Sequence, residues 1–252
     1  MSFDVAADAY DRYMGRFSRP LAPVFAAFAG VRAPATVLDV GCGPGALTGV
    51  LVETLGAASV RAVDPSEPFV AAAAERYPGV DVRRGVAEAL PFPDATFDAA
   101  LAQLVVHFMA DAVAGLREMA RVTRPGGVVA ACVWDHSGGG GPIGAFWQAV
   151  HELDPGARDE AALPGAREGH LAELLGEAGL DAVTSAPLTV TVPLASFDEW
   201  WAPYTLGVGP AGAYVASLDD AGRAALRARC AELLPDGPFE VTALAWAARG
   251  VV

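Results

Sequence analysis

Cysteine is scarce in this sequence, which contains 3 cysteines in 252 residues. Cys42, Cys132 and Cys230 lie far apart, without the close pairs that bind zinc and without the density of a disulfide-stapled domain. The sequence therefore predicts no metal site. Scattered cysteines of this kind are typical of a reducing compartment, so we expect a cytoplasmic protein.

Basic residues and long apolar runs are also in short supply. The 17 lysines and arginines face 30 aspartates and glutamates, which gives a net charge of −13. Nucleic-acid binding needs a basic patch or stripe, and no apolar stretch is long enough to span a bilayer. The segment Met1–Asp11 lacks the basic start and apolar run of a signal peptide. We expect neither a nucleic-acid nor a membrane partner.

The segment Thr36–Ala46, T-V-L-D-V-G-C-G-P-G-A, joins two kinds of backbone. Its apolar first half predicts a short strand that is buried on both faces. The alternating glycines that follow suit a backbone that turns sharply or lies against another molecule. A helical pattern begins at Ala46. Strand, glycine turn and helix form the opening of a nucleotide-binding α/β unit, whose free N–H groups face a ligand.

Asp39 discriminates between two kinds of ligand for this turn. The glycines also satisfy the dinucleotide fingerprint G-x-G-x-x-G/A, so an NAD(P)-dependent oxidoreductase is one interpretation. A carboxylate inside the preceding strand would repel a pyrophosphate, because both are negatively charged. The same carboxylate would attract an ammonium or a sulfonium group. Asp39 therefore favours a positively charged ligand.

Further strands alternate with helices along the chain. We predict strands at Ser59–Val63, Val80–Arg84, Phe97–Ala102 and Val128–Val133, and this alternation indicates a parallel sheet with right-handed crossovers. Asp64 ends the second strand, about 20 residues past the glycines, where a carboxylate can accept hydrogen bonds from ribose hydroxyls. The same residues also resemble a helix start, so a capping role for Asp64 is the alternative.

Two stretches carry a family resemblance. V-L-D-V-G-C-G-P-G closely resembles motif I of the class I S-adenosylmethionine-dependent methyltransferases, and Gly85–Gln103, with P-F-P-D-A-T-F-D, is a second match. The resemblance implies a Rossmann-like α/β fold. Its doubly wound, mostly parallel sheet has seven strands, the last of them antiparallel and inserted beside the fifth, with helical lid and cap elements around it. It also implies S-adenosylmethionine as cofactor and S-adenosylhomocysteine as product.

The resemblance further implies which residues contact the cofactor. The glycine loop and Asp64 would hold the nucleoside of the cofactor, and Gln103 would contact its methionine part. Arg16, on an N-terminal lid, would bind the methionine carboxylate. Val86 departs from the family, which commonly has a carboxylate there, so adenine recognition is left to the backbone at Ala87 and to Glu88. The expected cofactor-binding residues are Asp39, Gly41, Cys42, Gly43, Gly45, Asp64, Pro65, Ala87, Glu88, Gln103, Arg16 and Tyr13.

We expect one domain over residues 1–252. Within it, residues 1–30 would form the N-terminal helical lid, broken near Ser18-Arg19-Pro20, and residues 31–135 the cofactor-binding core. Residues 142–178 and 196–235 would form helical insertions that cap the substrate.

Catalytic residues are few, because methyl transfer needs mainly position and electrostatics. His107 and His136 follow the fourth and fifth strands at the expected crevice and are candidate general bases. Asp135 next to His136 suggests an orienting pair, although a plain loop is the alternative. A structural role is the alternative for His107.

These features predict a methyltransferase that acts on a small molecule through an oxygen, nitrogen or carbon nucleophile. An aromatic cluster at Trp200, Trp201 and Tyr204 is expected to form the core of the cap. The alternative is that it lines an apolar substrate pocket, which makes an apolar or aromatic acceptor a candidate. We expect a monomer or a homodimer. The alternatives are an NAD(P)-dependent oxidoreductase and a methyltransferase-like protein that binds the cofactor without turnover.

Overall fold

A single sheet runs through the computed structural model, which describes residues 7–252. Its seven strands lie in the order β3-β2-β1-β4-β5-β7-β6. They are β1 (Val37–Val40), β2 (Val60–Asp64), β3 (Asp81–Arg84), β4 (Phe97–Gln103), β5 (Thr123–Trp134), β6 (Asp181–Leu194) and β7 (Phe239–Val251). Strands β1 to β5 pair in parallel, and β7 is antiparallel to both β5 and β6. The predicted Rossmann-like methyltransferase fold is confirmed.

The helices are short, and within residues 7–252 none is long and apolar enough to cross a membrane. They are α1 (Ala7–Tyr10), α2 (Arg16–Ala29), α3 (Ala46–Leu55), α4 (Glu67–Arg76), α5 (Ala112–Val122), α6 (Gly144–Leu153), α7 (His170–Glu177), α8 (Phe197–Trp201), α9 (Gly209–Ser217) and α10 (Asp220–Leu233). A π-helical turn, Asp11–Gly15, joins α1 to α2.

The sheet is buried on both faces, as a doubly wound fold requires. On one face, α2 and α3 pack with side chains such as Leu101 and Trp134 in the larger core cluster. On the other face, α5 and α7 pack over Leu38 and Ala100 in a second cluster. The four residues of β1 are all buried, which accounts for the apolar side chains of Val37, Leu38 and Val40 on both faces of the strand.

The predicted break near Ser18-Arg19-Pro20 is wrong. Helix α2 runs from Arg16 to Ala29 with Pro20 and Pro23 inside it. Each proline removes one backbone hydrogen bond, but Phe17, Leu21 and Phe25 bury one face of the helix against the core. Tertiary packing therefore outweighs the local preference. The irregular backbone lies earlier, in the π-helical turn. Residues 1–6 of the expected lid lie outside the described residues.

The expected cap region divides into two parts. The later part of 142–178 contains α7, which buries Leu171, Leu174 and Leu175 against the sheet, so only its earlier part is available to a cap. Helix α6 packs instead against the 196–235 region, where the rings of Phe146 and Tyr204 stack at 4.6 Å. We refer to α6 and α8–α10 as the cap helices.

Leu101 tests the central packing. It is fully buried on β4, and a buried leucine truncated to alanine loses about 2–5 kcal/mol of stability because it leaves a cavity. We expect Leu101→Ala to lower the free energy of unfolding by this amount in urea denaturation. The control is Leu153→Ala, since Leu153 is 50% exposed and should change stability by no more than about 0.5 kcal/mol. Equal effects of the two variants would contradict the assigned core.

Candidate active site

A crevice opens where the strand order reverses, between β1 and β4. In a doubly wound sheet the segments after these strands diverge to opposite faces and leave room for a ligand outside their carboxyl ends. Three neighbouring cavities lie here, and Tyr10 and Leu104 line all of them. Leu104 follows β4 with φ of +62°, a conformation that is strained for leucine and typical of functional sites.

The glycines of the loop after β1 serve different purposes. A Cβ atom on Gly41 would lie 2.5 Å from the side chain of Val105, and one on Gly45 would lie 2.5 Å from Tyr77. Internal packing therefore requires these two glycines. Gly43 has φ of +52°, and a Cβ atom there would meet nothing within 4 Å. Gly43 is thus the place where the loop lies open to a ligand.

Asp64 ties this loop to the next helix. Its Oδ2 accepts the Gly43 N–H at 2.8 Å, and its Oδ1 accepts the Ser66 N–H at 2.8 Å. Burial raises the pKa of Asp64, while these two hydrogen bonds act in the opposite direction. With Pro65, Asp64 also lines a cavity of about 100 Å³. Ser66 is the N-cap residue of α4, so the bond from its N–H forms a turn before the helix and Asp64 is not the cap. Each carboxylate oxygen retains a lone pair that can accept a further hydrogen bond.

A second, smaller cavity of about 30 Å³ is lined by Asp39, Cys42 and Gln103. Asp39 is 1% exposed and accepts the Thr48 hydroxyl at 2.6 Å. Burial raises its pKa to about 7. Gln103 donates through Nε2 to the Ser18 carbonyl at 2.9 Å, but its buried Oε1 has no partner among residues 7–252. An unmatched buried acceptor beside a carboxylate suits a ligand with N–H donors.

The expected adenine side is built differently from the prediction. Glu88 accepts the N–H groups of Ala110 and Asp111 at 2.7 and 3.2 Å, so its carboxylate holds the segment before α5. The expectation that Glu88 replaces the missing acid is therefore not supported. Ala87 is buried in the core cluster under α5, and Val86 is 45% exposed.

The lid residues also differ from the prediction. Arg16 donates to the backbone carbonyls of Arg12 and Glu199, at 3.0 and 3.1 Å. Burial lowers the pKa of this guanidinium. The two carbonyls take two of its five N–H donors, and the bond to Glu199 joins the lid to α8. Tyr13 packs edge-on against Tyr204 at 5.6 Å and lines the third cavity, away from the glycine loop.

His107 and His136 both line the third cavity, of about 30 Å³. Glu160, which the sequence did not single out, lines it as well. The ring centroids of the two histidines are 5.7 Å apart, and Glu160 joins them. Burial lowers the pKa of His107 well below its usual range and that of His136 to about 4. Burial also raises the pKa of Glu160 to about 7.

The predicted pairing of Asp135 with His136 is wrong. Asp135 accepts the N–H groups of Gly138 and Gly140 and the indole N–H of Trp246, at 2.9, 3.2 and 3.0 Å. Its carboxylate therefore shapes the glycine run after β5. Glu160 was missed because it lies in an acid-rich loop far from both histidines in sequence, where no spacing marks it.

The geometry is that of a doubly wound α/β protein with an open crevice at its switch point, and comparison with known proteins shows which proteins it resembles. Residues 38–131 match the family model of a methyltransferase domain. A malonyl-(acyl-carrier protein) O-methyltransferase from Pseudescherichia vulneris is 37% identical over 154 residues, which is 59% of this chain and 58% of that protein. The match thus spans less than two thirds of the relative's length. These matches support the resemblance of the chain to the class I S-adenosylmethionine-dependent methyltransferases.

Solved structures agree on the fold. A methyltransferase from an antibiotic biosynthesis pathway of Anabaena variabilis superposes with a TM-score of 0.63 at 18% identity, covering 92% of this chain and 97% of that one. Phospholethanolamine N-methyltransferase 2 of Haemonchus contortus, solved with S-adenosylhomocysteine, gives a TM-score of 0.60 at 16% identity. The match covers 99% of this chain and 58% of that one. At these identities the matches establish the fold.

The buried Asp39 predicts a pH effect on stability. Its pKa is about 7 in the folded protein against 3.8 ordinarily, so the unfolded chain ionises first as pH rises. The contribution of Asp39 to the stability of the wild type should therefore fall between about pH 4 and pH 7, by up to about 4 kcal/mol, and then level off. Asp39→Asn removes this titration, so its free energy of unfolding should rise relative to the wild type over the same window.

Urea denaturation across pH 4 to 8 measures this difference. The exposed Asp236→Asn is the matched control and should give a curve parallel to that of the wild type. A constant difference between the wild type and Asp39→Asn would contradict the assigned burial of the charge.

Proposed function

We propose that this protein transfers a methyl group from S-adenosylmethionine to a small-molecule acceptor through an oxygen, nitrogen or carbon nucleophile. The observation that carries the proposal is the unpartnered Gln103 Oε1 beside the buried carboxylate of Asp39, at the glycine loop. A carboxylate and a free amide oxygen suit a ligand that has both a positive charge and N–H donors. The match of residues 38–131 to a methyltransferase domain supports the same cofactor.

The residues of the crevice fit this cofactor along its length. Asp64 and Pro65 line the cavity where a ribose would lie, and Asp64 can accept bonds from its hydroxyls. Gly43 leaves open space for the ligand, while Asp39 and Gln103 would hold the amino-acid end. S-adenosylmethionine, when bound, supplies a methyl group on a positively charged sulfur, and the negative charge of Asp39 favours that cation.

The third cavity would take the reactive end of the acceptor, and at about 30 Å³ it has to widen to admit a whole aromatic molecule. Aromatic and apolar side chains line most of it, including Tyr13, Met14 and Trp134, which supports an apolar or aromatic molecule. Leu104 is shared with the cofactor cavities, so the acceptor would meet the methyl group at this residue. His107 and His136 would contact the polar end of the acceptor, as expected for the predicted catalytic positions.

Other features of the protein stay predictions from the sequence. These are a single domain over residues 1–252, a cytoplasmic location, a monomeric or homodimeric state and the lack of a nucleic-acid or membrane partner. The net charge of −13 is consistent with the lack of a nucleic-acid partner.

Calorimetry with four ligands tests the proposed cofactor. We expect S-adenosylmethionine and S-adenosylhomocysteine to bind and to raise the melting temperature, because ligands of the native state stabilise it by mass action. NAD and NADP should do neither. A selective response to NAD or NADP would instead support the oxidoreductase alternative. Binding of the first two with no methyl transfer to any acceptor of a broad panel would support the non-catalytic alternative.

Gly43→Asn tests the contact with the glycine loop. Asparagine tolerates the positive φ of this position, and its side chain would extend into the open space that the ligand needs. We expect S-adenosylhomocysteine to bind at least tenfold more weakly, about 1.4 kcal/mol. Gly179→Asn is the matched control, because Gly179 also has a positive φ with nothing within 4 Å of a Cβ atom but follows α7. Unchanged affinity in Gly43→Asn would remove the loop from the binding site.

A further inference from the structure

We propose that His107, His136 and Glu160 bind a divalent transition-metal ion, with zinc as the preferred ion. Each side chain offers one ligand atom, and these atoms all lie within 4.8 Å of one another. The three residues come from separate parts of the chain: the segment after β4, the segment after β5 and the loop between α6 and α7. Only the fold brings them together.

Unpartnered lone pairs point to a ligand at this place. His107 is 5% exposed, and its Nδ1 has no hydrogen-bond partner in residues 7–252, nor does the buried Nε2 of His136. Native proteins satisfy nearly all buried polar atoms. A cation bound between the two rings would satisfy both nitrogens at once and would neutralise the carboxylate of Glu160.

The chemistry of the donor set selects the class of ion. Two imidazoles and one carboxylate are typical ligands of zinc and of other first-row transition metals, whereas magnesium and calcium prefer oxygen ligands alone. Ligand atoms at about 2.0–2.2 Å from zinc lie about 3.3–3.6 Å apart. Closing the site around an ion therefore needs side-chain shifts of about 1 Å.

Surrounding residues support the carboxylate and leave coordination positions open. The indole N–H of Trp147 donates to Oε2 of Glu160 at 3.3 Å, the kind of outer hydrogen bond that orients metal-binding carboxylates. The cavity of about 30 Å³ beside the three residues has room for a water ligand. His136 and Trp147 also line a larger cavity of about 270 Å³, together with Asp135 and Asp159. The negative charge of these two aspartates would attract cations.

This site would give the histidines a different role from the predicted one. Both would hold the ion through their lone pairs and would not act as general bases. An oxygen or nitrogen of the acceptor could then complete the coordination, a consequence that rests on the proposed function. Metal binding itself does not depend on the methyl donor.

Titration of the metal-free, tag-free protein tests the site. After EDTA treatment and exchange into clean buffer, calorimetry with zinc chloride should show one ion per chain with a micromolar or tighter Kd, and cobalt(II) should develop visible absorption bands. Magnesium chloride should give no heat. Absence of zinc binding in the wild type would overturn the proposal.

Variants locate the ion. We expect His107→Gln and Glu160→Gln each to weaken zinc binding by at least about tenfold, while His151→Gln binds as the wild type does. His151 is a suitable control because it is 39% exposed and lies 3.5 Å from Asp159, outside the three residues. Circular dichroism and melting confirm folding, and Glu160→Gln keeps the shape of the side chain if His107→Gln fails to fold. Zinc binding unchanged in Glu160→Gln would refute the site.

The two proposals can fail separately. Titration of the same preparation with S-adenosylhomocysteine reports the cofactor site without the metal. Zinc binding without cofactor binding would refute the proposed function alone, and cofactor binding without zinc binding would refute the metal site alone.

Discussion

The carboxylate of Asp64 holds together the two segments that form the crevice. It accepts the N–H of Gly43 in the loop after β1 and the N–H of Ser66 at the start of α4. The same loop is anchored by Gly41 and Cys42, whose N–H groups both bond to the Val63 carbonyl at 2.7 and 3.0 Å. These contacts exist because β1 and β2 pair in parallel with Val40 opposite Val63. The register of β1 and β2 thus sets the position of the glycine loop relative to Asp64.

Polar groups in this crevice are arranged for a ligand at the expense of the folded chain. Asp39 and Glu160 are almost fully buried, and no cationic group in the described part of the chain pairs with them. Burial raises the pKa of each to about 7. Gln103 and His107 each retain an unmatched buried atom. Such groups destabilise the protein alone, and a ligand that satisfies them recovers the loss, which is a common trade-off at functional sites.

The N-terminal segment closes the crevice through contacts that are individually weak. Tyr10 lines all three cavities. The turn that follows it is held by the Asp11–Arg76 ion pair at 3.0 Å, and Arg76 also donates to the Pro44 carbonyl at 2.8 Å. Partly exposed ion pairs contribute little to stability. The cover over the glycine loop therefore depends on a few groups, in contrast to the fully buried β1 beneath it.

Local signals in the sequence determined the fold and half of the candidate site. The apolar run before the glycines, the strand–helix alternation and the position of Asp64 each follow from short-range chemistry: strand burial, backbone freedom and spacing along one unit. These signals were sufficient for the sheet, including the antiparallel final strand implied by the family resemblance, and for Asp39, Asp64 and Gln103 at the crevice. The sequence also placed Gly43 in the binding loop. It did not indicate that Gly41 and Gly45 are required for internal packing.

Tertiary structure alone decided the partners of polar side chains. Arg16 donates to the carbonyls of Arg12 and Glu199. Glu88 accepts N–H groups of the segment before α5, and Asp135 accepts N–H groups of the glycine run after β5. In each case the polar group takes the nearest donor or acceptor that the fold supplies. Helix α2 continues through two prolines because its apolar face is buried. Glu160 meets His107 and His136 only after α6 and its following loop fold back over β5. No spacing along the chain encodes that meeting, since it depends on the packing of distant segments.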